Sequence, residues 1–456
     1  MDILAPGVRA LTIGMVALMA LGAFETLAVA TAMPAVAQAL DGVSLYALSF
    51  SSTLAASLVG MVVAGRCSDQ GGPAPALWGG VALFVAGLLL SGLAPAMSWL
   101  IGGRILQGFG SGAISVASYV VVARAYAAAL QPRVFAAFSA AWVIPSLFGP
   151  TLSALIVQHI GWRTVFLLVP LAAIAAALAL RPGLRALAPD TTVRADERAP
   201  MRRNIGWAIV AAAGACLLDP VSRSHTLAGA AGVAALLAAL LAAARRLLPA
   251  GTLRARRGLP SVIALRGISS AAFFGTEAFI PLMLLREYGL CALWAGAALT
   301  LGALGWSASS GYQGHARHAW PRVRLLQIGM GLLSLGILLI GGVAAAHAWS
   351  AAAPANSIVL ACTFAGWSLA GLGMGLVSPT LSVLTLTLSP VSEQGRNSSA
   401  MALAQAPATA VVLALGGALF ARLLRQAPAY AYLASFGITG ALAAVGFAVS
   451  SRVRAT

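Results

Sequence analysis

The chain of 456 residues has no lysine, so all 28 of its basic side chains are arginine. That absence excludes the phosphate-binding Lys of a P-loop, a Schiff-base Lys and a Lys nucleophile, and with them an ATPase site of that kind in this chain. Charge of either sign is scarce, at 9% of residues, where a soluble globular chain carries about 25%. Cysteine is scarce too. Cys67, Cys216, Cys291 and Cys362 stand alone, without the spacing of a zinc site or a disulfide framework. The five histidines form no His-Glu-x-x-His pattern, so no metal or other cofactor is expected.

Apolar residues fill the space. They make up 60% of the chain, and the mean hydropathy of +0.92 is too high for one soluble core to hide. The stretches must face lipid, which predicts an all-α polytopic membrane protein. A bilayer core takes roughly 20 apolar residues per helix. Spans are predicted near 10–34, 45–65, 76–94, 98–123, 134–158 and 164–180, then 205–221 and 226–244. Six more follow near 260–284, 291–312, 323–347, 356–388, 398–424 and 430–450, giving fourteen transmembrane helices. The first run contains Glu25 and is longer than a signal peptide's apolar core, so an uncleaved first helix is expected.

Orientation follows from arginine placement, because cytoplasmic loops carry the excess. With both termini inside, most arginines fall on inner loops and tails. Among them are Arg9, Arg66, Arg124, Arg133 and the runs within 181–203 and 245–257. The outer ends carry only Arg163, Arg223, Arg286, Arg422 and Arg425. This asymmetry predicts an N-in/C-in protein and explains the net charge of +17 without nucleic acid. Both arginine-rich flanks of 205–244 lie on one side, so an even number of crossings joins them. Residues 226–244 are uncharged and span, which makes 205–221 the second crossing.

An internal repeat organises the rest. Gly108, Gly110, Gly112 and Ser115 recur as Gly371, Gly373, Gly375 and Ser378, 263 positions later and at identical spacing. The next helix in each half also carries a proline and then a small-residue pair, Pro145 with Ser153-Ala154 and Pro407 with Gly416-Gly417. Parallel repeats are one signature of transporters. The expected layout is an N-terminal six-helix bundle (1–181), linkers with a two-helix hairpin (182–259), and a C-terminal six-helix bundle (260–456). The glycines lie inside an apolar helix and follow no strand, so close helix packing is expected rather than a dinucleotide loop.

These residues resemble the major facilitator superfamily, specifically its fourteen-helix drug:proton antiporters. Gly65-Arg66-Cys67-Ser68-Asp69-Gln70-Gly71-Gly72 is similar to the family's first signature, with Gln70, Pro73 and Ala74 standing where basic residues are usual. Arg104-x-x-Gln107-Gly108, continuing to Gly112, resembles the helix 4 signature. Gly149-Pro150 is similar to the heart of the antiporter signature in helix 5, with Pro145, Ser153 and Ala154 at the flanking positions. Gly161-Trp162-Arg163-x-x-Phe166, and Phe24-Glu25-Thr26 through Met33-Pro34, also look like stretches of these exporters. The resemblance implies a major facilitator fold and alternating access by two rocking bundles. It implies gating by Gly65, Arg66, Asp69 and Gly72, and a helix 5 bend at Pro145, Gly149 and Pro150.

Charges within spans are costly and are functional candidates by default. At a rise of about 1.5 Å per residue, Glu25 lies about 14 Å, Glu277 about 10 Å and Arg104 about 9 Å from the outer ends of their helices. A carboxylate in a low-dielectric site resists ionisation, and a nearby guanidinium opposes that. Glu25 is the expected proton or cation site, Glu277 a second, and Arg104 the modulator. A static Glu25–Arg104 pair that only fixes packing is the alternative. Arg266 is expected to snorkel towards the inner surface.

The leading expectation is proton-coupled efflux of hydrophobic or cationic small molecules. A uniporter or symporter for a metabolite or lipid stays open. A membrane-embedded transferase would need a catalytic constellation that the loops at 181–204 and 245–259 do not offer. A receptor that keeps the fold without transport is separable by a flux assay. No partner is expected beyond protons, small-molecule substrate and bilayer, and the protein is expected as a monomer. Abundant Ala, Gly and Arg without Lys suggest GC-rich coding and a bacterial inner membrane.

Overall fold

In the computed structural model, residues 3–42, 45–185, 201–222, 226–290, 292–315, 320–349 and 356–453 are described. Among them all regular structure is helical. The first helices are α1 (Arg9–Ala39), α2 (Tyr46–Gly71), α3 (Pro73–Gly92), α4 (Met97–Ala125), α5 (Gln131–Ala140), α6 (Val143–His159) and α7 (Trp162–Arg185). Then come α8 (Met201–Ser222) and α9 (Leu227–Leu247). The remainder is α10 (Leu259–Glu277), α11 (Ile280–Arg286), α12 (Ala292–His315), α13 (Arg322–Trp349), α14 (Asn356–Thr387), α15 (Gln394–Gln426) and α16 (Pro428–Ser450). Ten helical stretches among the described residues are long and apolar enough to cross a membrane. The other expected spans coincide with α2 (45–65), the pair α5 and α6 (134–158), α8 (205–221) and, over the described residues, α12 (291–312). Most of the expected arginine-rich linker, residues 186–200, lies outside the described residues.

Two compact units emerge. One comprises Met1–Cys216 with Ser389–Leu403, the other Leu217–Leu388 with Ala404–Thr456. In the first, α4 is sandwiched between α2 and α3 at a spacing that only glycine permits. A methyl group at Gly108 or Gly112 would run into the α2 carbonyls of Thr53 and Ser57, and one at Gly110 into the α3 backbone at Gly80 and Phe84. The second unit repeats the device. Gly371 and Gly375 meet the α12 carbonyls of Gly302 and Trp306, and Gly373 meets the α13 backbone at Gly329 and Leu333. Thr53 and Gly302, Ser57 and Trp306, and Gly80 and Gly329 are each 249 residues apart. One register therefore relates the packing partners of the two halves and another relates the glycines. Small residues matter because lipid gives apolar helices no hydrophobic drive to associate, leaving close backbone contact to hold them.

Two expected spans are broken. The helix predicted at 134–158 divides into α5 and α6, with Ala141 and Trp142 between them. Pro145 has no N–H to give the Ala141 carbonyl four residues back, and its ring crowds that carbonyl. The span at 260–284 divides in the same way after Glu277, four residues before Pro281. The signature region after the second span, expected as a loop, remains helical through Gly71. Gly72 ends it at φ +81°, in the left-handed region open to glycine.

Candidate functional site

The first unit gathers a polar cluster around Arg104. Glu25 on α1 is 5% exposed, and Arg104 on α4 is 4% exposed. The guanidinium Nη1 donates to the Glu25 carboxylate Oε1 in a buried ion pair. Nη1 also donates to Gln107 Oε1 at 3.0 Å, and Nε approaches the Ser49 carbonyl of α2 at 3.4 Å. Arg104 and Gln107 are three residues apart on one helix and share a face. The ladder of Gly108 and Gly112 draws α2 close enough to bring the Ser49 carbonyl within reach. A buried charge is tolerated when paired and hydrogen-bonded, and this pair satisfies both conditions. It places one carboxylate and one guanidinium together inside the bundle, with Gln107 and the Ser49 carbonyl as further partners of the cation.

Gly149 on α6 is buried beside α1, where a methyl group would sit 3.6 Å from Phe24 and 3.7 Å from Leu27. Ser153 Oγ donates to the Ala28 carbonyl at 2.6 Å. The helix carrying Pro145, Gly149 and Pro150 thus runs along the segment of α1 that presents Glu25. Pro145 is buried and sets the α5–α6 break; Pro150 follows within α6.

Glu277 lies in the second unit, at the last residue of α10. It is half-buried, with no hydrogen-bond or ion-pair partner among the described residues. Four residues before it, Phe273 stacks on Trp367 at a centroid distance of 4.4 Å, with Trp306 edge-on at 5.2 Å. Arg266, expected to snorkel, instead donates to Gln405 Oε1 at 2.8 Å and Ser378 Oγ at 2.5 Å. Internal acceptors within reach spare the cost of stretching to the surface.

The signature region of the first unit resolves into a helix cap. Asp69 accepts backbone hydrogen bonds from Gly395 at 2.7 Å and Arg396 at 2.8 Å. It thereby satisfies donors in the first turn of α15, where a carboxylate also suits the helix dipole. Gly65, one turn earlier on the same face, clears the space, since a methyl there would meet the Gly395 carbonyl. Gly395 is the reciprocal close approach and was not found from sequence; its only signal is a glycine beside a helix start. Arg124 donates to the Ser68 carbonyl at 3.2 Å, tying the end of α2 to α4. Arg66 leaves its buried Nε without a hydrogen-bond partner among the described residues. Asp69 lies beyond the apolar run of α2. Burial pushes its carboxyl up to about 6, against the pull of the two backbone donors, Arg124 and Arg396.

A family model described as Major Facilitator Superfamily matches residues 13–412. The chain belongs to that superfamily. It is therefore a multi-pass membrane transporter of all-helical facilitator fold. The chain is 27% identical to the "Multidrug efflux pump SdrM" of Staphylococcus aureus (strain N315), over 37% of this chain and 38% of that protein. It is 30% identical to "Multidrug resistance protein 3" of Bacillus subtilis (strain 168), over 34% of this chain and 30% of that protein. The matches thus span between 30% and 38% of the length of these curated relatives. Among solved structures, the human organic anion transporter MFSD10 (TETRAN) superposes with a TM-score of 0.69 at 15% identity, covering 98% of this chain and 99% of that one. At that identity the likeness establishes the facilitator fold alone.

Proposed function

We propose that this facilitator is a proton-coupled exporter of hydrophobic or cationic small molecules in a bacterial cytoplasmic membrane, with fourteen spans and both termini inside. The observation that carries the reading is the buried Glu25–Arg104 pair within transmembrane helices. While Arg104 donates to it, the Glu25 carboxylate keeps its charge. Withdrawal of the guanidinium leaves a carboxylate in low dielectric, which takes up a proton. If pairing differs between outward-open and inward-open states, proton affinity changes with access, which is what coupling requires. Glu277 supplies a second ionisable group, Asp69 acts at the conformational gate, and the Pro145–Pro150 segment bends the helix beside Glu25. The partial matches to multidrug pumps support the substrate class.

The test uses proteoliposomes with an imposed proton gradient, a pH-quenched dye, and a panel of lipophilic cations and neutral drugs. Substrate-triggered collapse of the gradient in wild type, lost in Glu25→Gln, is the expected result. Collapse that survives Glu25→Gln moves the proton to Glu277. No response to any compound overturns the drug-export reading and favours a metabolite or lipid carrier.

A further inference from the structure

The arginines at the end of α7 do more than orient the chain. A cavity of about 330 Å³ opens between the start of α3 and the end of α7, lined by Gly72, Pro75, Trp78, Arg181, Leu184 and Arg185 among others. Both guanidiniums belong to exposed residues, without a hydrogen-bond or ion-pair partner among the described residues. Among the described residues no carboxylate lines the cavity. Asp69, the acid closest in sequence to its rim, is already occupied by two backbone donors. Two cations one helical turn apart, around a concave space without an acid among the described residues, suit a doubly accepting anion.

The rest of α7 says which anion. Leu171 is 78% exposed, Ile174 43% and Leu178 55%. With Arg181 and Arg185 these residues repeat at steps of three and four, so they form one continuous face of the helix. Along it, apolar side chains open to lipid lead into the two exposed cations, with Trp78 at the cavity wall. Indole rings favour that apolar-to-polar boundary. A soluble anion has no use for the leucine stripe. An acyl chain with a phosphodiester at its end matches both parts.

We propose that this cavity binds the headgroup of an anionic phospholipid, its phosphate held by Arg181 and Arg185 and an acyl chain lying along Leu178, Ile174 and Leu171. Basic pockets between transmembrane helices are suited to such headgroups. The site lies wholly within the first unit and is independent of the transported substrate.

The full chain, purified and incubated with equal amounts of phosphatidylglycerol and phosphatidylcholine, is examined by native mass spectrometry for retained lipid. Wild type is expected to retain phosphatidylglycerol preferentially. Arg181→Gln with Arg185→Gln is expected to lose that preference by about fivefold per arginine, the order of one cation's effect at an anionic lipid surface. Arg181→Lys with Arg185→Lys, which keeps the charge, guards against misfolding and should retain most of it. The charge-matched control Arg254→Gln with Arg257→Gln should behave as wild type. Equal retention of the two lipids by wild type, or equal losses in the double variant and the control, overturns the proposal. Displacement of phosphatidylglycerol by millimolar inorganic phosphate would show that the stripe adds nothing and would overturn the lipid assignment.

Discussion

The two units build the same helix crossing and put opposite chemistry into it. Gly103, Gly108, Gly110 and Gly112 on α4 have counterparts Gly366, Gly371, Gly373 and Gly375 on α14, each 263 residues on. Their partners Gly87 and Gly336 hold equivalent places on α3 and α13. Between these fixed points, the register that carries Arg104 in the first unit carries Trp367 in the second, and Gln107 gives way to Ala370. The first unit centres on a buried ion pair. The second centres on a fully buried indole stacked on Phe273. Backbone contact is a condition of assembly and both halves keep it; the residues between the glycines are free to diverge.

That contrast is testable by exchanging one chemistry for the other. Truncating Trp367→Ala is expected to cost about 3–5 kcal/mol by leaving a cavity. Arg104→Gln is expected to cost a comparable ~3–5 kcal/mol by leaving Glu25 buried and uncompensated. Thermal unfolding of the detergent-solubilised protein measures both. The double change Glu25→Leu with Arg104→Met makes the first unit apolar, like the second. Replacing a buried ion pair by apolar residues of similar volume is often neutral, so stability should return to within about 1–2 kcal/mol of wild type while coupled transport is lost. Transport that survives this double change would assign the pair to packing alone.

The shared skeleton predicts matched sensitivity. Gly108→Val and Gly371→Val each force a side chain into a backbone carbonyl and should cost about 1–3 kcal/mol or more. Gly416→Ala, where nothing lies within 4 Å of the added carbon, should leave the midpoint unchanged. If only one of the two valine variants is destabilised, the crossings are not equivalent.

Smaller effects are expected at the cap that Asp69 forms. Asp69→Ala removes two acceptors from the first turn of α15 and should cost about 0.5–2 kcal/mol. The pH dependence has a definite sign. The folded carboxyl titrates near 6, above its ordinary value, so the folded state holds the proton longer than the unfolded one. Stability relative to Asp69→Asn should fall as pH rises from about 4 to 6, then level off. A rising difference over that interval would mean that the two backbone donors outweigh burial.

Membrane insertion, the internal repeat and the charges worth examining were legible in the sequence, because each is local or periodic. Apolar length reports a helix, and glycine spacing reports a crossing. A lone Glu or Arg in such a run is costly enough to stand out. The helix breaks were half legible: the bend at Pro145 was expected and the one before Pro281 was not, and each break falls at the carbonyl four residues earlier. That puts Glu277 at the end of α10. The cap was hidden because Asp69 meets its partners more than 300 residues away, and no spacing rule spans that distance.

By itself the sequence determined what the environment must be, since 60% apolar residues with 9% charge require lipid. It also determined that one half is a diverged copy of the other. Tertiary structure decided which charges meet. It paired Glu25 with Arg104, left Glu277 without a partner among the described residues, turned Arg266 inward to Gln405 and Ser378, and set Asp69 on a helix end. Pairing depends on angstrom-scale approach between helices, and the sequence specifies that approach only through the small residues that permit it.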